Sequence, residues 1–367
     1  MAKRPTVDWS ALEDAYGLAT DLPEDLRGLV ASVPRKRGAA LDRLWARLCH
    51  QGSVYPASAV AVPYLLRLAA TPATKDRDGI VELLAGIAVG DHTNFLDGAL
   101  AAGRRKARRH RKRTARTVEA RCYEAVAAGA PRLRALLADR ESRVRAAAAF
   151  ALAWLPDPTG ASARVVGVRC RAERDAAARA SMLVALGHLG AKAEREALEV
   201  ALAEGKGPSA VRTAAAIGMA YLDGKRVPAA AREVLEAACV ARPLRRTGQP
   251  WNGGDLAGHA AAVLATLPAR TKGRADAIAR LKGVGYIAGD RLAGELIRNV
   301  FSGRDPKSAA SLTDIQRELL VTIVRAGLLR YQGFVEAALR LRGLPPLRDL
   351  PKFIGVEPGV HRELRRR

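Results

Sequence analysis

Apolar and polar positions along this chain follow the 3.6-residue period of amphipathic helices, and the pattern returns at long intervals. Four twelve-residue segments align without gaps: Val144–Leu155 (VRAAAAFALAWL), Ala178–Leu189 (ARASMLVALGHL), Val211–Leu222 (VRTAAAIGMAYL) and Leu256–Leu267 (LAGHAAAVLATL). Their ends lie 34, 33 and 45 residues apart, the last interval carrying an insertion. Each has a basic or small residue in its first turn, small residues along one face and a terminal Leu. A second apolar-periodic stretch precedes each: Val126–Leu137, Arg164–Cys170, Ala197–Ala203 and Ala231–Val240. The repeating unit is therefore a pair of helices. One pair cannot cover its own apolar face, but neighbours stacked side by side share a continuous core. The pattern predicts an all-α solenoid.

The most regular unit is Pro131–Arg145 (PRLRALLADRESRVR). Its proline, the Asp139 eight residues on and the Val144-Arg145 pair beyond resemble the HEAT repeat. That resemblance implies a right-handed α-α superhelix and a proline, Pro131, that kinks the first helix by deleting a backbone hydrogen bond. Elsewhere Glu173 takes the acidic place six before Arg179, while Lys206 and Gly253 stand before Arg212 and His259. The resemblance extends over residues 120–267. The strings VDWSALEDAYG (Val7–Gly17) and HQGSVYPA (His50–Ala57) look like a segment of bacterial HEAT-repeat proteins of unassigned role.

Flanking regions fit the same scheme. Val7–Gly17 and Leu22–Val30 read as capping helices, Ala39–His50 as a helix bearing Trp45, and Ala57–Ala69, with Pro63 inside it, pairs with Asp78–Val89. Beyond the repeats, Ala275–Leu281, Arg291–Phe301, Leu312–Tyr331 and Phe334–Leu341 read as looser helices, ahead of four prolines and the charged tail His361–Arg367. The expected organisation is capping helices over 1–56, a repeat array over 57–270 with a basic insertion at 104–116, and a C-terminal helical cap with basic tail over 271–367. The absence of a long Ser- or Gly-rich linker makes this one continuous array.

Composition agrees with helices and adds charge. The 367 residues are 49% hydrophobic but only 4% aromatic, so the apolar mass is small aliphatic residues. With 61 Lys and Arg against 37 Asp and Glu, the net charge is +24, which points to an acidic partner. No secretory signal or membrane-spanning run is visible, and a cytoplasmic protein is expected. The cysteines Cys49, Cys122, Cys170 and Cys239 lie 48 to 73 residues apart, without metal-site spacing, and read as reduced and inert.

The densest basic run is Arg104, Arg105, Lys106, Arg108, Arg109, Arg111, Lys112, Arg113 and Arg116, nine of the 61 cations. It has no apolar face with which to dock on a core. It suits the phosphates of DNA or RNA, or an acidic protein, and lacks the Trp, Phe or Leu that would sink into a bilayer. The plain alternative is a solvated, solubilising face. A second array is Arg145, Arg179 and Arg212, the second residue of three of the aligned segments, taken together with His259 in the fourth; these would form a ladder along a concave wall in a HEAT-like superhelix. Structural pairing competes with binding here: the HEAT pattern pairs this arginine with the acid six before it, Asp139 for Arg145 and Glu173 for Arg179. Arg212 lacks such an acid and is expected to be freer.

Motifs that carry chemistry are few. None of the six histidines is followed by Glu, as the iron-binding HEAT-repeat hydroxylases would require, and no HExxH, GxSxG or Walker-type stretch occurs. The residues make no case for a metal, nucleotide or other cofactor. One enzymatic alternative has a diffuse motif: some HEAT-like solenoids are DNA glycosylases that excise alkylated bases, with tryptophans against a cationic base and one carboxylate. Trp45, Trp154, Trp251 and Asp255 are the residues to place for that reading. A third possibility is an immunity-type partner of a bacterial toxin. The leading expectation is a non-enzymatic scaffold whose curved basic surface captures an acidic macromolecule.

Overall fold

The structure, a computed structural model, describes residues 7–89, 117–155, 157–241, 244, 247–267, 275, 277–279, 281–283, 286–301, 306, 308–328 and 333–359. The chain is all-α, 71% helical and 3% strand. It divides into two compact units. The first holds the described residues up to Ala197 together with Gly248–Trp251, and the second holds Leu198–Thr247 and the described residues from Asn252 onward.

In the first unit the helices sort into two layers. One contains Pro56–Ala70, then Val118–Ala128 with Ala130–Leu136, then Ala161–Ala172. The other contains Pro34–Leu48, Arg77–Val89, Ser142–Ala153 and Ala176–Leu189. Within each layer every helix packs on the next in chain order, and the layers pack on one another through pairs such as Ala130–Leu136 against Ser142–Ala153. Small residues make this possible. In Ser142–Ala153, Val144 and all eight residues from Ala146 to Ala153 are buried, so the helix is surrounded by neighbours. An Ala-rich helix of that kind loses little side-chain entropy and lets adjacent backbones approach closely.

The repeat helices begin and end where side chains satisfy their free backbone groups. Thr117 accepts from the Ala120 N–H, Asp175 from Ala178, Ser209 from Arg212 and Asp255 from Gly258, each an N-cap. Gly190, at φ +71°, closes Ala176–Leu189 in the left-handed conformation.

Two sequence expectations need correction. The stretch Val126–Leu137 is not one kinked helix. It breaks at Gly129 between Val118–Ala128 and Ala130–Leu136, with Pro131 in the first turn of the second piece, where its missing N–H costs nothing. Gly129 also sits against Leu66: a Cβ there would come within 2.5 Å of that side chain. Pro63, by contrast, lies inside a continuous helix, Pro56–Ala70. Second, Val7–Gly17 is not a capping helix. It forms a 3-10 turn, Trp9–Ala11, and then a two-stranded hairpin, Glu13–Asp14 with Gly17–Leu18. The Asp14 carboxylate accepts the Tyr16 N–H at 2.8 Å, and Gly17 takes φ +120°, which turns the chain back. A second hairpin pairs Cys49–His50 with Ser53–Val54. Its central residues Gln51 and Gly52 both have positive φ, 48° and 82°, as a tight type I′ connection requires.

In the second unit Ala210–Asp223, Ala229–Val240 and Leu256–Thr266 pack mutually, and Leu256–Thr266 packs on Tyr286–Val300. The latter carries Asp314–Arg325 and Phe334–Leu341 against it, and Leu350–Ile354 packs on Asp314–Arg325. No described helix is long and apolar enough to cross a membrane.

Candidate functional site

The basic run Arg104–Arg116 and the tail His361–Arg367 lie outside the described residues. The second array is described in full, and its members have distinct fates.

Arg145 leaves the first turn of Ser142–Ala153 and works in two directions. Its Nη1 donates to the carbonyls of Asp139 and Arg140 at 2.8 and 3.1 Å, tying down the loop before the helix. Its Nε and Nη2 donate to both oxygens of Glu173 at 2.6 and 2.7 Å. The acid that pairs with Arg145 therefore belongs to the following repeat, and the Asp139 carboxylate goes elsewhere. It accepts from Arg77 at 2.6 and 2.9 Å, while Glu141 accepts from the same guanidinium at 3.0 Å. Arg37 repeats the design, donating to the carbonyls of Ala31 and Ser32 and, through Nε, to Asp76 at 2.7 Å. Three successive rungs, Arg37–Asp76, Arg77–Asp139 and Arg145–Glu173, thus clasp one helix pair to the next.

The electrostatics match this geometry. Burial would raise the pKa of Glu173, but hydrogen bonds from Arg145 and the Asp175 N–H outweigh it and hold the carboxyl below its ordinary value. Asp139 is held down in the same way by Arg77 and the Glu141 N–H. The hydrogen bond to Glu173 is the largest influence raising the Arg145 pKa, so the pair stays doubly charged.

The other members are engaged as well. Arg179 bonds to the Cys170 thiol, which burial pushes up to about 12 and so keeps protonated and unreactive. Arg212, expected to be free, donates to the carbonyls of Leu202 at 2.8 Å and Gly207 at 2.6 Å, bracing the turn before its helix. His259 is fully buried, with Nε2 bonded to the Tyr221 hydroxyl, and burial drives its pKa down to about 3. It is a neutral core residue and displays no cation. The register shared by the three arginines is the register of packing.

The glycosylase residues are not assembled for base capture. Trp251 is 1% and Trp154 5% exposed, and with Phe150 and His188 they form one aromatic cluster in the first unit. The Trp251 indole N–H reaches Ser181, at 3.1 Å from Oγ, and Ser181 in turn donates to the Ala146 carbonyl. Asp255 serves as the N-cap of Leu256–Thr266. Trp45 is half-buried over Gly86. Among the described residues no cluster of three or more His, Cys, Asp or Glu is arranged to hold a metal ion.

A feature missed by sequence reasoning lies near the N-terminus. A groove of about 290 Å³ opens between Leu22–Gly28 and Pro56–Ala70, lined by Trp9, Leu26, Val30 and Tyr64 with Arg27 and Arg67 on it. The signal available was the spacing Tyr64, Arg67, Leu68, which places three side chains on one helical face. The Trp9 that completes the groove arrives through the 3-10 turn, where a helix was expected.

No protein-family model and no curated protein matches the chain. A crystal structure of an engineered protein from the Northeast Structural Genomics Consortium is 17% identical, covers 88% of this chain and 87% of its own, and aligns with a TM-score of 0.31.

Proposed function

We propose that the chain is a non-enzymatic binding scaffold, a HEAT-like right-handed α-α superhelix of helix pairs whose basic surface captures an acidic macromolecule, DNA, RNA or an acidic protein. The observation that carries this reading is charge left over after internal pairing. If every one of the 37 carboxylates were matched to a cation, 24 of the 61 Lys and Arg would remain without one. The rungs at Arg37, Arg77 and Arg145 draw on that limited supply of carboxylates for structural purposes. A surplus of this size raises a positive potential that gathers polyanions. Chain-order stacking of like helices in the first unit supports the repeat reading, because such stacks present long preformed surfaces.

Binding is assigned to Arg104, Arg105, Lys106, Arg108, Arg109, Arg111, Lys112, Arg113 and Arg116 rather than to the repeat register, whose arginines are engaged in packing. The test is retardation of duplex DNA, single-stranded DNA and RNA across a salt series, beside a pull-down after nuclease treatment. A nucleic-acid partner gives affinity falling steeply with salt, and deletion of residues 104–116 flattens that slope. An acidic protein instead survives nuclease in the pull-down and is lost with the deletion. Salt-independent binding, or retention of all partners by the deleted chain, overturns the assignment.

A further inference from the structure

The groove between Leu22–Gly28 and Pro56–Ala70 has a chemistry of its own. Its walls come from two helical faces, Leu26, Arg27 and Val30 on one side and Tyr64, Arg67 and Leu68 on the other, with Trp9 at one end. Trp9 and Tyr64 pack at 5.9 Å between ring centroids and 55° between planes, so they form a corner rather than a parallel slot. The Arg67 guanidinium stands 5.3 Å from the Tyr64 centroid and covers that ring. Arg27 and Arg67 are both exposed, and neither has a carboxylate partner among the described residues. The nearby Asp8 carboxylate, exposed to solvent, accepts the N–H and hydroxyl of Ser10 through Oδ1. Val30, 56% exposed, extends the apolar floor out to solvent.

From this we infer that the groove is a docking site for an acidic peptide segment that inserts one bulky apolar side chain between Trp9, Leu26 and Val30 while its carboxylates meet Arg27 and Arg67. A volume of about 290 Å³ accommodates a single large side chain, at the lower edge of what small-molecule pockets offer. A nucleobase fits the lining poorly. The Tyr64 face on which a base would stack is taken by Arg67. A second copy of the chain is disfavoured by its own charge of +24. An acidic peptide with an apolar anchor satisfies both halves of the groove, the anchor excluding water and the carboxylates meeting unmatched guanidiniums. This site goes beyond the basic run at 104–116 and stands if that run binds nothing.

The test is fluorescence anisotropy of the full chain with a labelled twelve-residue Asp/Glu peptide carrying one central Phe, at about 150 mM salt. The same peptide with Ala for Phe controls for charge alone, and an oligodeoxythymidine of equal charge controls for nucleic acid. The wild-type chain is expected to prefer the Phe peptide by about 10-fold or more, from burial of the ring. Val30→Asp and the pair Arg27→Gln/Arg67→Gln alter exposed side chains and leave the helical circular dichroism unchanged. Val30→Asp is expected to cut that preference below about 3-fold, and the arginine pair to weaken the Phe peptide and the Ala peptide alike, by about 3-fold or more. Equal discrimination by wild type and Val30→Asp, unchanged affinity in the arginine pair, or equal affinity of the wild type for the two peptides overturns the proposal. So does an oligonucleotide that loses binding with the groove variants while the Phe peptide does not.

Discussion

Arg145 and Glu173, 28 residues apart, meet through two hydrogen bonds of 2.6 and 2.7 Å, and this fork joins one helix pair to the next. The side chains are 13% and 2% exposed, so the pair sits largely out of water. Removing one partner strands the other charge. Arg145→Ala is expected to lower unfolding free energy by about 3–5 kcal/mol in urea titration, as for other buried pairs that lose one member. In a double-mutant cycle with Glu173→Gln, the second change should cost far less than the first. Additive losses would show that the fork does not couple the two repeats.

Acid should loosen the same contacts. The carboxyls of Glu173 and Asp139 have folded-state pKa values below their ordinary values of 4.5 and 3.8. A depressed value means the unfolded state takes up protons first, so the stabilisation is complete above about pH 4.5 and is lost as pH falls through the lowered values. Thermal melts between pH 5 and pH 2 are expected to drop steeply for wild type and less steeply for Glu173→Gln.

Glu82 has the opposite dependence. Burial, aided by Asp78 one turn earlier, raises its pKa from 4.5 to about 7. The folded state then holds a proton that the unfolded state releases, and stability declines as pH rises from about 4.5 to about 7. At roughly 1.4 kcal/mol per pKa unit, Glu82→Gln is expected to recover up to about 3 kcal/mol at pH 8 and little at pH 4, measured by denaturant titration at both.

How much of this was legible depended on the kind of signal. The paired helices were, because Ala and Leu recur at helical spacing through segments such as Val144–Leu155. The N-terminal hairpin was not: Trp9, Leu12 and Ala15 mimic helical spacing, and the outcome turns on Asp14 capping Tyr16 and on Gly17 at φ +120°. The arginine partners were half legible. Asp139, six residues before Arg145, does touch it, but through its carbonyl, while its carboxylate turns to Arg77. Sequence spacing cannot tell a backbone oxygen from a carboxylate. His259 was grouped with the arginines yet is the fourth residue of its aligned segment where they are the second, and it falls in line with the buried Ala147, Ser181 and Ala214.

Close packing over Gly86 offers a further check. A Cβ at this position would stand 2.5 Å from the Trp45 ring and 3.5 Å from the Cys49 sulfur. Gly86→Ala is therefore expected to destabilise by about 1–3 kcal/mol despite its gain in helix propensity, since the ring must shift. Trp45→Leu should relieve part of that loss when the two changes are combined in a thermal melt.

The serial clasp also bears on how such a chain can lengthen. Arg37 and Arg145 each fasten the loop behind them and grip a carboxylate of the unit ahead, and Arg77 grips Asp139 and Glu141 in the same sense, so these successive units share one electrostatic socket. A unit gained or lost whole would find its counterpart on either side already in place, and only a fractional insertion would break the match. Growth by duplication is thereby tolerated at the joints these three rungs span, while the later repeat that carries Arg212 relies on backbone oxygens.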